Sequence, residues 1–331
     1  MDIERLFEEG VEDGLFTDFQ VCVRGSVRVD FSGGRHISAG ARLFDVASLS
    51  KALTHLLFWD LFSAGAIRPE DSLGRFIQVS NVDGRQLWHF MSYLVQDYGF
   101  DFEKLRRGET GSFRDVLLTD GFGPWERRFS YDNYSSAYLG LILERIFEAG
   151  LEEVYHEQLL EGEEEKRNLL FHPVFRGLVS PRCVVPTGPE MRGFVQDTLA
   201  FSHHMEHISV AGVFSNATVI ADVFHRALGR IIATGFYDIG SRNQLEKVGI
   251  STEEHNYAMG FDIPYAQSLE TSVDGPIIFA GYTGCRLFFA KRPRVTVCFL
   301  TNRVFCGDSV ETRKRFSSFS WRVIREILRK S

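Results

Sequence analysis

The stretch Phe44-Asp45-Val46-Ala47-Ser48-Leu49-Ser50-Lys51 is where the chain changes from sheet to helix. Residues 43–46 form a short apolar run of the kind that makes a strand. From Ser48 to about Ala64 the apolar residues recur at helical spacing, and Gly65 supplies a stop. Ser48 and Lys51 stand three apart at the start of this helix, so their side chains share one side of its first turn. A serine hydroxyl becomes a nucleophile when a base takes its proton, and a lysine that has lost hydration in a partly buried site can serve as that base. The helix N-terminus also favours negative charge developing at the serine. The same residues fit a plainer reading, an N-cap serine followed by an exposed lysine.

Upstream, residues 1–16 read as an acidic amphipathic helix, and residues 19–23 and 27–31 alternate around Gly25-Ser26 as a hairpin. Downstream, residues from about 80 to 205 are mostly helical, with a strong helix over 135–149 ended by Gly150. Beyond 205 come a helix over 219–234, alternating apolar runs at 276–282, 285–290 and 295–301, and a closing helix over about 309–329. Strands at both ends with helices between them imply an α+β chain whose sheet is discontinuous in sequence.

A second cluster, Phe129-Ser130-Tyr131-Asp132-Asn133, places a Tyr-x-Asn just ahead of the 135–149 helix. In an extended loop residues two apart point the same way, so a phenol and an amide can reach one cavity. Tyr131 is suited to relay a proton with Lys51 and Ser48, and Asn133 to hold a substrate carbonyl. A core tyrosine beside an Asx-turn asparagine is the plainer alternative.

Together these segments resemble the serine β-lactamase-related, penicillin-binding-protein-like family, in its class C β-lactamase and esterase branch. "FDVASLSKALT" (44–54) is similar to the family's first active-site segment and "FSYDNYSSAYLGLILERI" (129–146) to its second. Residues 87–94 resemble the helix before the substrate cleft. "RGFVQD" (192–197) and "VAGVFSNATVIADVF" (210–224) are similar to two later signatures of one branch, with Gln196 where that branch has histidine. The resemblance implies a β-lactamase/transpeptidase-like fold, an antiparallel sheet flanked by the terminal helices. About 1–80 and 206–331 would form the sheet part of a single unit, and about 81–205 an inserted, mostly helical subdomain, with the active site at their junction.

The family's third motif is a Lys-Thr-Gly or His-Thr-Gly on an edge strand, and here it is degenerate. In the preferred register Gly281-Tyr282-Thr283-Gly284 matches the segment that follows the motif, which makes the motif Phe279-Ala280-Gly281, without cation or hydroxyl. The other register reads Tyr282-Thr283-Gly284 and keeps the hydroxyl of Thr283. The oxyanion hole would use backbone N–H groups, those of Ser48 and Tyr282, and so is less affected. Recognition of a substrate carboxylate should suffer, because Phe cannot pair with an anion. The expectation is therefore a serine hydrolase that forms an acyl-enzyme on a small neutral ester, amide or peptide-like substrate, with weak or no β-lactamase activity. The alternative is a binding protein that kept the fold and lost turnover.

The remaining features exclude other classes. A net charge of -7 argues against a phosphate-backbone partner, so no nucleic acid is expected. The N-terminus lacks the basic end and apolar stretch of a signal peptide, and the most apolar window, 53–67, is too short to span a bilayer. We therefore expect a cytoplasmic protein without a membrane partner. Five cysteines with no CxxC pair fit reduced thiols rather than disulfides or zinc. His203-His204-Met205-Glu206-His207 has two histidines at helical spacing but no third ligand, and we read it as a loop near the cleft. No metal or cofactor is expected. The run 161–165 reads as a solvated turn, and Glu164 with Asn168 as a coincidental match to a class A pair. No Gly-x-Ser-x-Gly elbow or phosphate-binding glycine loop is present.

Overall fold

Strands β1 (Asp18–Arg24), β2 (Val29–Gly34), β3 (Phe44–Asp45), β4 (Leu169–Phe171), β5 (Val213–Ser215), β6 (Gly249–Ser251), β7 (Asn256–Ala258), β8 (Phe261–Asp262), β9 (Ile277–Gly281), β10 (Cys285–Ala290) and β11 (Val295–Thr301) make two sheets. The computed structural model describes residues 2–82, 84–95, 98–124, 128–234, 249–251, 256–263, 273–274 and 276–331. The larger sheet has the order β2-β1-β11-β10-β9-β8-β7-β6, and its paired strands are antiparallel. β1 reaches β11 across nearly the whole chain, with Phe19 opposite Thr301 and Val23 opposite Val297. The smaller sheet, β3-β5-β4, carries the strand that leads to Ser48.

The period-two alternation of the central strands explains why both faces of the large sheet are covered. Val295, Val297 and Phe299 of β11, with Phe19, Val21 and Val23 of β1, pack against the terminal helices Ile3–Glu12 and Val310–Lys330. Cys298 and Leu300, with Cys22, face the opposite core, which includes the helices Leu49–Ser63 and Ala217–Ala233. The helix Leu49–Ser63 is apolar almost all round and nearly every residue of it is buried, as expected of a helix at the centre of a core rather than at a surface. Among the described residues no helix is long and apolar enough to cross a membrane.

Between 81 and 205 the chain forms the helices Leu87–Met91, Phe102–Arg106, Phe113–Asp120, Tyr134–Phe147, Leu151–Leu159, Glu163–Arg167 and Thr198–Ser202. The core beneath them is continuous with that under the sheet. The acidic run 161–165 is not a turn. It begins the helix Glu163–Arg167, where three glutamates in the first turn suit the positive end of the helix. Its Glu165 accepts two hydrogen bonds from Arg226, at 2.8 and 2.9 Å. Asn168 donates to the Glu164 carbonyl at the end of this helix, at 2.9 Å.

The face under the terminal helices centres on Phe7, whose ring lies within 5.2 to 6.0 Å of the rings of Phe16, Phe19, Phe31, Phe299 and Phe319. Phe7→Ala is expected to destabilise the protein by about 3–5 kcal/mol, because the surrounding rings cannot all collapse into the space. Urea unfolding followed by far-ultraviolet circular dichroism measures the loss. A change below about 1 kcal/mol would mean that the terminal helices are not held through this residue.

Candidate active site

β3 runs into the helix Leu49–Ser63 through a tight turn at Val46, Ala47 and Ser48. Ala47 sits at φ 50, the left-handed region that an alanine enters only at a cost of about 1–2 kcal/mol. Asp45 holds the turn: one carboxylate oxygen accepts from the Ala47 N–H at 2.9 Å, the other from the Gln196 N–H at 2.8 Å. The Asp45 carbonyl accepts from the Thr283 hydroxyl at 2.9 Å, which ties the turn to the β9–β10 connection. Gly281 at the end of β9 comes so close that a Cβ there would lie 2.7 Å from the Val46 carbonyl. No larger residue fits between these two strands.

Ser48 occupies the N-cap position, yet its side chain does not cap the helix. It accepts a hydrogen bond from Lys51 Nζ at 3.0 Å. Lys51 is fully buried, and its Nζ also donates to the Val210 carbonyl at 3.1 Å. The plainer reading, a capping serine with a lysine in water, is therefore incorrect. The turn presents Ser48 along the cleft, and the helix carries Lys51 inward.

Tyr131 joins this pair through its ring, whose centroid lies 5.3 Å from Lys51 Nζ. The lysine faces the π surface, and no hydrogen bond links the Tyr131 hydroxyl to Lys51 or Ser48. The ring packs on Tyr93 at 4.7 Å and near Tyr257 at 6.4 Å, which fixes its plane. One turn beyond Lys51, His55 is buried and donates from Nδ1 to the Gly260 carbonyl at 3.1 Å; burial lowers its pKa to about 3, so it is a neutral imidazole.

A cleft of about 460 Å³ opens beside these groups, lined by Ser48, Phe129, Tyr131, Tyr257, Ala280, Gly281, Tyr282, Arg286, Arg303, Arg313 and Phe316. Neither the Ser48 N–H nor the Tyr282 N–H donates to an acceptor among the described residues. Two backbone donors of this kind at the rim of a cleft suit an oxyanion.

Three expected substrate-contacting residues are not among those lining this cleft. Phe279 is turned into the core, its ring 6.2 Å from that of His55 and 6.1 Å from that of Phe261. Alternation along β9 accounts for this: Ala280, exposed, faces the cleft and its neighbour faces the central helix. Thr283 is buried and engaged with Asp45, so it positions the β9–β10 turn. Asn133 lines an adjoining hollow that shares Tyr131, and its amide donates to Asp197 at 3.4 Å. The alternation expected of an extended Tyr-x-Asn fails because Asn133 is already in helical conformation, at φ -89 and ψ -27, as the N-cap of Tyr134–Phe147.

The histidine run serves local structure. Glu206 accepts from the N–H groups of Phe113 and Arg114 at 2.7 and 3.1 Å, which secures the start of the helix Phe113–Asp120. No group of three His, Cys, Asp or Glu side chains converges as a metal site among the described residues. The sequence reading missed Asp45, the Val210 carbonyl and the three arginines. Arg286 carried a signal, as a lone charge inside the apolar strand Cys285-Arg286-Leu287-Phe288-Phe289.

Burial pushes the Asp45 carboxyl from 3.8 up to about 6, against the opposing effect of its two N–H donors. A carboxyl that holds its proton more tightly when folded contributes stability that is full below the unfolded pKa and fades as pH rises through about 6. Asp45→Asn is therefore expected to gain on the native protein as pH is raised from about 4 to about 7. Thermal unfolding across that range checks it; a difference independent of pH would show that folding does not shift the Asp45 pKa.

No family model matches the chain, and no curated protein matches it by sequence. Solved structures do match along its whole length. A penicillin-binding-protein homologue from Caulobacter crescentus superposes with a TM-score of 0.70 at 15% identity, covering 99% of this chain and 96% of that one. EstCE1, a hydrolase with promiscuous acyltransferase activity, gives 0.68 at 15%, covering 98% and 97%. A class C β-lactamase gives 0.68 at 12%, covering 99% and 97%. The chain therefore has the β-lactamase/transpeptidase-like fold that these proteins share.

Proposed function

We propose that the protein is a serine hydrolase that works through an acyl-enzyme on a small ester or amide. The observation that carries this reading is the buried Lys51 amine bonded at 3.0 Å to a Ser48 hydroxyl that opens onto a cleft. A purely structural lysine would gain nothing from such burial, since taking an amine out of water is costly unless its partners compensate. The three solved relatives named above include a hydrolase with acyltransferase activity and a β-lactamase, and acyl transfer is the chemistry that this reading shares with them.

In the first step the Lys51 amine takes the Ser48 proton and Oγ attacks the substrate carbonyl carbon. The resulting oxyanion is held by the N–H groups of Ser48 and Tyr282. As the tetrahedral species collapses, the leaving alcohol or amine takes the proton back and the acyl group stays on Ser48. Water then adds to the acyl carbon as the same amine takes its proton, and on collapse that proton returns to Ser48 Oγ while the acid is released. The Tyr131 ring over Lys51 shields it from solvent and stabilises the ammonium between the two proton transfers.

With an activated ester such as 4-nitrophenyl acetate, Ser48→Ala is expected to lower kcat by at least about a thousandfold and Lys51→Met by at least about a hundredfold. A serine-directed fluorophosphonate should add one mass increment to the native protein and none to Ser48→Ala. Turnover that survives unchanged in Ser48→Ala would place the chemistry elsewhere. No turnover and no adduct in the native protein would favour a binding protein that has kept the fold.

A further inference from the structure

We propose that Tyr93 is a positioning residue for acyl transfer, whose ring holds the Tyr131 ring over Lys51. This deepens the reading of Ser48 and Lys51 as the reacting pair and rests on it. Tyr131 stands on the loop ahead of the helix Tyr134–Phe147, lines the cleft and is 43% exposed. A loop ring with that much free surface keeps one orientation only where something packs against it. Tyr93 supplies that packing: it is fully buried, and its ring centroid lies 4.7 Å from that of Tyr131, within the range of a direct aromatic pair. Tyr131 in turn lies with its ring centroid 5.3 Å from Lys51 Nζ, so the contact runs from Tyr93 through Tyr131 to the amine.

The backbone at Tyr93 is held in a conformation that a tyrosine adopts only at a cost. Its φ of 54 lies in the left-handed region, where glycine is at ease and a bulky side chain is not. The helix Leu87–Met91 has just ended, and the Tyr93 N–H donates to the Phe90 carbonyl at 3.3 Å. The Tyr93 carbonyl accepts from the Ser130 N–H at 2.9 Å, which ties this bend to the residue before Tyr131. Ser92 accepts from the Met259 N–H at 3.1 Å, so the β7–β8 turn meets the same point. A glycine would satisfy all of this backbone geometry without strain. Strain kept beside a functional site calls for a reason in the side chain.

The hydroxyl is not that reason. It is buried and makes no hydrogen bond of ordinary geometry among the described residues; the Ser136 hydroxyl comes near it and is likewise unsatisfied. Burial raises the phenol well above its usual pKa, so it stays protonated and does not act as a base. What remains is the ring. Besides Tyr131 it meets the rings of Tyr257 at 5.6 Å and His55 at 6.0 Å, both edge to face. Tyr257 lies on β7, and His55 stands one turn beyond Lys51 on the central helix. Tyr93 is thus wedged between the helix that carries the amine and the loop that carries its cover.

The test removes the ring and the hydroxyl separately. Tyr93→Phe keeps the ring, Tyr93→Met fills the space without one, and Tyr93→Gly suits the left-handed backbone; circular dichroism confirms which of them fold. With 4-nitrophenyl acetate, Tyr93→Phe should keep kcat within about twofold, while the two variants without a ring should lower it by about ten- to a hundredfold with KM changed far less. In a Tyr131→Leu background the same substitutions should cost less than about twofold, because the support has nothing left to hold. A loss of equal size in that background, or no loss on removing the ring, would overturn the positioning and leave the hydrolase reading standing. Reductive methylation of Lys51, mapped by mass spectrometry, gives a readout without turnover: it should quicken by at least about tenfold in Tyr93→Met and stay slow in Tyr93→Phe, with the other lysines unchanged. A Lys51 rate that Tyr93→Met leaves as it was would also overturn the positioning. Faster methylation in a protein with neither turnover nor a Ser48 adduct would retain the ring support and sink the hydrolase reading.

Discussion

The cleft depends on one buried carboxylate. Asp45 accepts hydrogen bonds from the turn before Ser48 and from the loop at Gln196, while its carbonyl receives the Thr283 hydroxyl of the β9–β10 turn. Two of these bonds connect segments 151 and 238 residues apart in sequence. They hold Ala47 in a left-handed conformation that its own preferences disfavour, and that conformation turns the strand into the helix so abruptly that Ser48 stays at the rim. Without the clamp the N-cap serine would be free to do what such serines usually do, which is to cap.

The rest of the chain serves as the frame for this junction. The two faces of the large sheet are both covered, and the strand order places β1 beside β11, so the first and last parts of the chain stabilise one another. The frame keeps Lys51 in the interior, where its amine meets a hydroxyl, a carbonyl and an aromatic face. In such an environment electrostatic interactions are stronger than in water.

The same junction explains why a degenerate motif need not mean an empty function. Phe279-Ala280-Gly281 carries neither a cation nor a hydroxyl, yet under the proposed acyl transfer the oxyanion would be held by a backbone N–H at Tyr282, which survives any side-chain change compatible with the strand. Gly281 is the residue that cannot vary, because the segment leading to Ser48 passes too close for a Cβ. Positive charge reaches the cleft from β10, the turn after β11 and the C-terminal helix, through Arg286, Arg303 and Arg313.

Local sequence rules were sufficient for the elements that carry a strong period or a cap. The hairpin of β1 and β2, the helices Leu49–Ser63, Tyr134–Phe147 and Ala217–Ala233, and the run β9, β10, β11 with its closing helix were all legible within a few residues, because alternation and helical spacing are properties of neighbours along the chain. Ser48, Lys51 and Tyr131 could be named for the same reason, as short motifs next to helix starts. The orientation of Phe279 into the core, the engagement of Thr283 with Asp45 and the turn of Asn133 away from the cleft were not legible. The first two are set by segments that pack from distant parts of the chain, and the third by a helix that begins at Tyr134 and already holds Asn133 in helical conformation. Arg286 shows the difference most directly. Its charge stood out in an apolar strand, but the strand pairing that sets it beside Ala280 exists only once the sheet has formed.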